Sequence, residues 1–306
     1  MLNVGIIGSG QWASALTRIL RDVNIILKAR NLKKAGKNFN EQGKVSLTDD
    51  FSDLKVCETI FLAIPSQKMR ENLKCLPLDF KGNFVICCKG VEKKTNLLMS
   101  QVLEDCFPKS SYAILSGPNF ASEVIDGLPT ASVLSSKNNN LLNKISELIL
   151  QEKFRIYFNN DIVGTQLGGA MKNVIAIACG IIIGSNLGQN ARAAIITRGL
   201  SEIIDLGMIM GAKRETFYGL SGIGDLTLTC SSLKSRNTKF GYLLAKKKKK
   251  TSQLFEGLES CESICNLGKK LNVELPISNA VRKILKGFDI NKTVIKLLSR
   301  PLQFEK

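Results

Sequence analysis

Short apolar runs punctuate the first half of the chain: LNVGII at 2–7, NIILKA at 24–29, TIFLAI at 59–64, NFVICC at 83–88 and YAILSG at 112–117. The stretches between them carry apolar residues at helical spacing, as in ASALTRILRDV after the first run. Strands alternating with helices predict a parallel sheet with helices on both faces, from residue 1 to about 160. Beyond Asp161 long helical patterns dominate. In NARAAIITRGLSEIIDLGMIMGA the residues Ile195, Ile196, Leu200, Ile203 and Ile204 form one face, and Arg198 and Glu202 are expected on the other. A further helix is expected to open at Pro276, a good first-turn residue, and to carry Val281, Ile284 and Leu285. The pattern therefore predicts an α/β domain over 1–160 and an all-helical domain over 161–306.

Composition narrows the class. With 306 residues and 44% hydrophobic content, the chain can build about two ordinary cores. MLNVGIIGSG runs directly from methionine into a strand pattern, so a secretory leader is not expected. The longest uncharged apolar run, Val174 to Ile183, contains Gly180 and has ten residues, short of the roughly 20 that span a bilayer. Nine cysteines, an odd number, with Cys87 and Cys88 adjacent in a strand-like run, fit a reduced cytoplasm better than a disulfide framework. There is no C-x-x-C, the short spacing Cys261 to Cys265 does not match a zinc site, and there is no histidine, so no metal is expected. The missing histidine also removes the commonest general acid/base and leaves proton transfer to Lys, Asp, Glu, Tyr or Cys. The formal charge of +17 is spread along the chain, with one dense run at Lys246 to Lys250. It reads as a solvated surface that also attracts phosphorylated substrates.

Three regions carry chemistry. Gly8-Ser9-Gly10-Gln11-Trp12-Ala13 is G-x-G-x-x-A at the end of the first strand and the start of a helix. In that context the first glycine makes the turn, the second lets a pyrophosphate approach the backbone, and the helix N-terminus supplies N–H donors. From Ile162 to Ala191, thirty residues hold one charge, Lys172. Burial would disfavour its ammonium and tune it for proton exchange, whereas a side chain that snorkels to solvent would do neither. Asn173 is the polar group beside it. In GLSGIGDLTLTCSSLKSRNTKFG, Ser235 can cap a helix that, with Arg236 and Asn237, forms an anion site or simply a solvated helix start. Asp225 is either a turn residue or the partner of an active-site ammonium. Lys89-Gly90 and Ser116 to Ala121 follow predicted strands, where ligands of open α/β sheets bind, although ordinary turns also occur there.

The segments GSGQWASAL, CCKGVE, LSGPNFASEV, GGAMKNVIAIACG, NARAAIITRGL, GLSGIGDLTLTC and SRNTKFG occur in this order. Over nearly its whole length the chain thus resembles the bacterial NAD(P)-dependent glycerol-3-phosphate dehydrogenases. The resemblance implies an N-terminal Rossmann domain, doubly wound on a mainly parallel sheet, an all-α C-terminal domain, and assembly as a homodimer in the cytoplasm. It implies interconversion of dihydroxyacetone phosphate and sn-glycerol 3-phosphate, the backbone of phospholipids. Carried over by position, Lys172 is the catalytic acid/base, and Lys89 touches both substrate and cofactor. Gly117, Asn119, Asp225, Ser235, Arg236 and Asn237 complete the substrate site. Gly8, Gly10, Gln11, Trp12, Arg30, Ala121, Arg236, Leu254 and Glu256 line the cofactor site. The chain departs from the family at Ala13, usually Gly, at Asn119, usually Ser or Thr, and at Phe255, usually Val or Ala.

Leu27 to Asn31, at the end of the second strand, contains no acid but has Arg30 with Lys28 and Asn31 beside it. That composition favours NADPH, with NADH also possible. The alternatives are another two-domain reductase of a 3-hydroxy acid or sugar acid phosphate, and a basic nucleic-acid-binding protein with a vestigial nucleotide fold. No nucleic-acid partner and no membrane span are expected. Tyr242 and Lys246 form a Y-x-x-x-K, but the glycine spacing does not suit a short-chain dehydrogenase.

Overall fold

The structure is a computed structural model and describes residues 1–39, 44–150, 152–247, 255–299, 301 and 304. It comprises two compact units, Met1–Lys89 with Leu98–Ile162, and Gly90–Leu97 with Val163–Lys306. The short segment Gly90–Leu97 thus interrupts the first unit in sequence and belongs to the second.

The first unit is built on an eight-stranded sheet. Its strands are β1 (Leu2–Ile7), β2 (Val23–Lys28), β3 (Val45–Thr48), β4 (Thr59–Leu62), β5 (Asn83–Ile86), β6 (Tyr112–Ser116), β7 (Thr130–Ser135) and β8 (Phe154–Asn159). They lie in the order β3-β2-β1-β4-β5-β6-β7-β8. All neighbours are parallel except β6 and β7, which pair antiparallel with Leu115 opposite Leu134. The β1–β4 boundary is where the strand order reverses, the position at which ligands bind beyond the strand ends. Strands buried on both faces become continuous apolar runs, as in Ile60, Phe61 and Leu62, all inaccessible to solvent. Each such side chain contributes about 1.5–3 kcal/mol through burial. Helix α1 (Gln11–Ile19) follows β1 and buries Ala13, Ala15, Leu16 and Ile19 in this core. α2 (Leu32–Phe39), α3 (Met69–Leu73), α4 (Met99–Cys106), α5 (Ala121–Ile125) and α6 (Asn139–Glu147) complete the unit. The five apolar runs correspond to β1, β2, β4, β5 and β6.

The second unit is helical among the described residues. Its centre is α7 (Ile162–Gly184), followed by α8 (Gly188–Ile209), α9 (Arg214–Phe217), α10 (Asp225–Ser231), α11 (Arg236–Ala245), α12 (Glu256–Lys270), α13 (Pro276–Leu285) and α14 (Ile290–Leu298). At 23 residues α7 is long and apolar enough to cross a membrane, yet 94% of its most apolar stretch is buried within the protein. It is apolar all round because it is packed all round. α7 and α11 approach with backbones nearly touching. A β-carbon on Gly180 would lie 2.0 Å from the Thr238 carbonyl oxygen, and one on Gly241 2.1 Å from that of Ile177.

One expectation from the pattern is corrected. Glu202 does not lie on a solvated face of α8 but is 4% exposed. Its carboxylate accepts from the backbone N–H of Ile277, from that of Ser278 at 3.1 Å and from Ser278 Oγ at 2.8 Å. The buried N-terminus of α13 begins at Pro276 and has no side-chain cap of its own, so a carboxylate from a neighbouring helix satisfies its orphan donors.

Candidate active site

In the first unit, β1 ends in Gly8 at φ +120°, a conformation that side chains rarely adopt, and a β-carbon there would lie 2.4 Å from the Ala63 carbonyl oxygen. That constraint is steric. Gly10 is different, because a β-carbon at this N-cap of α1 would meet nothing within 4 Å. Internal packing does not require glycine at Gly10, whereas a ligand brought against the backbone would. No side chain caps α1, so its first N–H groups stay available to an anion. Gln11 is exposed, Trp12 is half-buried and Ala13 fully buried, so an alanine fits the third fingerprint position. These features fit a dinucleotide whose pyrophosphate lies over the Gly8–Gly10 turn.

At the end of β2 three polar side chains separate into distinct roles. Lys28 lies over the Phe51 ring, 4.3 Å from its centroid, and Asn31 Oδ1 caps α2 by accepting from the Lys34 N–H at 2.9 Å. Arg30 is exposed. Beyond β5, Lys89 Nζ donates to the Gly117 carbonyl at 3.2 Å. Gly117 itself allows β7 to pass closely, because a β-carbon there would lie 2.9 Å from Ser132 Cα. Asn119 Nδ2 donates to Ser132 Oγ at 3.0 Å, and Ala121 opens α5. Lys89, Gly117 and Asn119 are therefore neighbours beyond the carboxyl ends of β5 and β6.

In the second unit Lys172 does not reach solvent but is 8% exposed. Its ammonium pairs with Asp225 Oδ1 and donates to Thr229 Oγ1 at 2.8 Å. Asp225 is 1% exposed and occupies the first position of α10, and Thr229 follows one turn later on the same face. The carboxylate supplies the countercharge that a buried ammonium requires. Asn173 Oδ1 accepts from Asn237 Nδ2 at 2.9 Å, and Asn237 Oδ1 accepts from the N–H of Gly257 in α12 at 3.1 Å. Asn237 retains one amide hydrogen beyond these bonds. Ser235 caps α11 by accepting from the Thr238 N–H at 3.3 Å, and Arg236 follows it, exposed, at the first helical position. Glu256 opens α12, and Leu254 lies outside the described residues. Thr229 and Ser132 were not singled out from sequence. For Thr229 the spacing of four from Asp225 was the available signal.

A Gly-turn dinucleotide fold joined to a helical unit with a buried lysine–aspartate pair defines a two-domain Rossmann dehydrogenase. Residues 3–142 match the family described as NAD-dependent glycerol-3-phosphate dehydrogenase N-terminus, and residues 161–296 match its C-terminus. The glycerol-3-phosphate dehydrogenase [NAD(P)+] of Zymomonas mobilis is 38% identical over 99% of this chain and 94% of its own length. That of Carboxydothermus hydrogenoformans is 39% identical over 93% and 92% respectively. The crystal structure of glycerol-3-phosphate dehydrogenase from Coxiella burnetii superposes with a TM-score of 0.90 at 32% identity, covering 98% of this chain and 99% of that one. The chain belongs to the NAD-dependent glycerol-3-phosphate dehydrogenase family.

Proposed function

We infer that the protein is an NAD(P)-dependent oxidoreductase that interconverts dihydroxyacetone phosphate and sn-glycerol 3-phosphate. The observation that carries this reading is the buried Lys172–Asp225–Thr229 cluster, on helices otherwise packed with apolar and small residues. When bound, the nicotinamide supplies or accepts the hydride at the carbon that interconverts between ketone and alcohol. Lys172 Nζ gives its proton to the alkoxide oxygen that develops in reduction, and takes it back in oxidation. Asp225 and Thr229 hold Nζ in place and balance its charge. Arg236, the α11 N-terminus and the second amide hydrogen of Asn237 bind the phosphate, so that binding energy remote from the reacting carbon orients the substrate. Lys89, Gly117 and Asn119 contribute the first unit's substrate contacts. The first unit's cofactor contacts are Gly8, Gly10, Gln11, Trp12 and Ala121, and the second unit's are Arg236 and Glu256.

Arg30 makes NADPH the preferred cofactor. Lys28 and Asn31 are engaged elsewhere, and the exposed guanidinium at the end of β2 is the group suited to a 2′-phosphate. The enzyme acts as a homodimer in the cytoplasm and supplies the phospholipid backbone. Nine free cysteines support a reducing compartment. The test is loss of NAD(P)H absorbance on addition of dihydroxyacetone phosphate to the purified protein, repeated with Lys172→Ala. The parent should turn over and the variant should lose about 10²–10⁴ of the rate, the span of a positioned acid/base. Absence of turnover by the parent would remove the activity, and normal turnover by the variant would remove Lys172 from it.

A further inference from the structure

β7 reads TASVLS, and its buried run opens with Ser132, a hydroxyl inaccessible to solvent just before Val133 and Leu134. The antiparallel pairing of Ser116 with Val133 brings the segment that leaves β6 alongside it. A β-carbon on Gly117 would lie 2.9 Å from both Cα and Oγ of Ser132, so Ser132 occupies the space that a side chain at 117 would need. Alanine at 132 would fill nearly the same space. What the hydroxyl adds is one hydrogen bond, and a buried hydroxyl without a partner is costly. Asn119 Nδ2 donates to Ser132 Oγ at 3.0 Å, and this hydroxyl has no other partner among the described residues. Ser116 at the end of β6 and Ser135 at the end of β7 are equally buried, and their hydroxyls have none. Of these three serines, Ser132 is therefore the one that fixes another side chain.

An asparagine amide has a donor arm and an acceptor arm. With Nδ2 committed to Ser132, the acceptor arm Oδ1 remains, and it takes no hydrogen bond among the described residues. Dihydroxyacetone phosphate carries a single hydrogen-bond donor, the O–H of its hydroxymethyl group, because its ketone and its ionised phosphate only accept. Lys172, Arg236 and the second amide hydrogen of Asn237 are donors, matched to the ketone and the phosphate. In the first unit Lys89 is a donor too, and the Gly117 carbonyl already accepts from it at 3.2 Å. Asn119 Oδ1 is thus the unoccupied acceptor among the first unit's substrate contacts.

We propose that Ser132 is a positioning residue for substrate specificity, its hydroxyl holding the donor arm of the Asn119 amide against β7 so that Oδ1 accepts the hydroxymethyl O–H of the substrate. This rests on the proposed placement of Asn119 in the substrate site. An amide suits the device because its two arms share one rigid plane, so that fixing one fixes the other.

In the NADPH assay Ser132→Ala should raise KM for dihydroxyacetone phosphate about 3- to 10-fold, the span expected for losing one modest hydrogen bond. It should leave kcat within about 2-fold, because the hydroxymethyl contact is made alike in the ground state and the transition state. Hydroxyacetone phosphate has the same ketone and phosphate without that hydroxyl. Its inhibition constant as a competitor of dihydroxyacetone phosphate should stay within about 2-fold of the parent value in Ser132→Ala, whereas a merely loosened loop would weaken both ligands. Asn119→Ala should raise KM for dihydroxyacetone phosphate at least as far, and adding Ser132→Ala to it should cost nothing further, because the held group is already gone. If Ser132→Ala leaves that KM unchanged while Asn119→Ala raises it, or if Ser132→Ala weakens the two ligands equally, the positioning role is refuted and Asn119 keeps its place. If Asn119→Ala leaves KM unchanged, the placement of Asn119 in the substrate site fails, and with it the role of Ser132.

Discussion

Asp225→Asn nearly preserves volume at a position 1% exposed and removes a single charge. Lys172 Nζ then keeps Thr229 Oγ1 at 2.8 Å and meets a neutral amide in place of the Asp225 carboxylate. Were the pair only a hydrogen bond, the loss would be about 1 kcal/mol. As a buried ion pair left with one member, it should cost about 3–5 kcal/mol. At 1.4 kcal/mol per factor of ten, even the lower value shifts the folding equilibrium by about two orders of magnitude. The total to draw on is about 5–15 kcal/mol. Urea unfolding of the purified protein measures this directly, and the NADPH assay on the same samples should show turnover reduced by at least about 10²-fold, because the acid/base is no longer held. The control is Lys172→Met with Asp225→Leu. Removing both charges should restore stability to about the parent value or above it, and activity should stay lost. Two outcomes would refute the reasoning: Asp225→Asn within about 0.5 kcal/mol of the parent, or a double variant as unstable as the single.

Other predictions follow from the two units taken separately. Arg236→Ala should weaken kcat/KM for dihydroxyacetone phosphate by about 10-fold or more, and far more than it weakens the slow reduction of unphosphorylated dihydroxyacetone, since the former alone loses a charge-assisted pair to the phosphate. Equal losses on both substrates would remove Arg236 from the phosphate. Arg30→Ala should lower the ratio of kcat/KM for NADPH over NADH by about 10- to 150-fold, measured at fixed ionic strength, and an unchanged ratio would show that Arg30 does not read the 2′-phosphate. Burial pushes the Cys57 and Cys87 thiols up to about 12 from an ordinary 9.0. Below pH 9 both folded and unfolded chains keep these protons and the contribution is full. Between about 9 and 12 only the unfolded chain releases them, so each thiol should lower stability by up to about 1.4 kcal/mol per pH unit. Cys57→Ala should therefore flatten the fall in urea midpoint between pH 8.5 and pH 10.5, and an unaltered slope would contradict its buried, protonated state.

The parts of the fold legible in the sequence are those in which local pattern and tertiary role agree. β1, β2, β4, β5 and β6 are interior strands, so burial on both faces writes them as apolar runs. β3 as VSLT, β7 as TASVLS and β8 as FRIYFN mix polar residues into short segments. Of these, β3 and β8 form the sheet's edges, and β7 runs antiparallel to β6. No periodicity in a single segment encodes either fact. Glu202 departs from its sequence pattern for a related reason. A carboxylate among apolar residues looks solvated until a partner is known, and its partner, the N-terminus of α13, lies about 75 residues away in sequence. The lone charge of Lys172 was visible, but its two fates, snorkelling or pairing, were distinguished by Asp225 and Thr229, 53 and 57 residues on.

The same packing explains how a chain without histidine can hold an acid/base in register. A lysine side chain has four rotatable bonds, and a reactive amine on such a stem loses its advantage unless the surroundings remove that freedom. Here the helix bearing it is packed closely against its neighbours. A β-carbon at Gly168 would lie 2.5 Å from the Ser221 carbonyl oxygen, just before the turn into α10, and one at Gly257 would lie 2.5 Å from the Asn173 carbonyl oxygen, one residue past Lys172. These contacts bring α7 to backbone distance of the turn leading into α10 on one side and of α12 on another. Asp225 and Thr229 descend from the first of these contacts, and the Asn173–Asn237–Gly257 chain of hydrogen bonds from the second. The glycines therefore act on the chemistry indirectly: they bring three backbones together, and the convergence leaves Nζ of Lys172 one place to be.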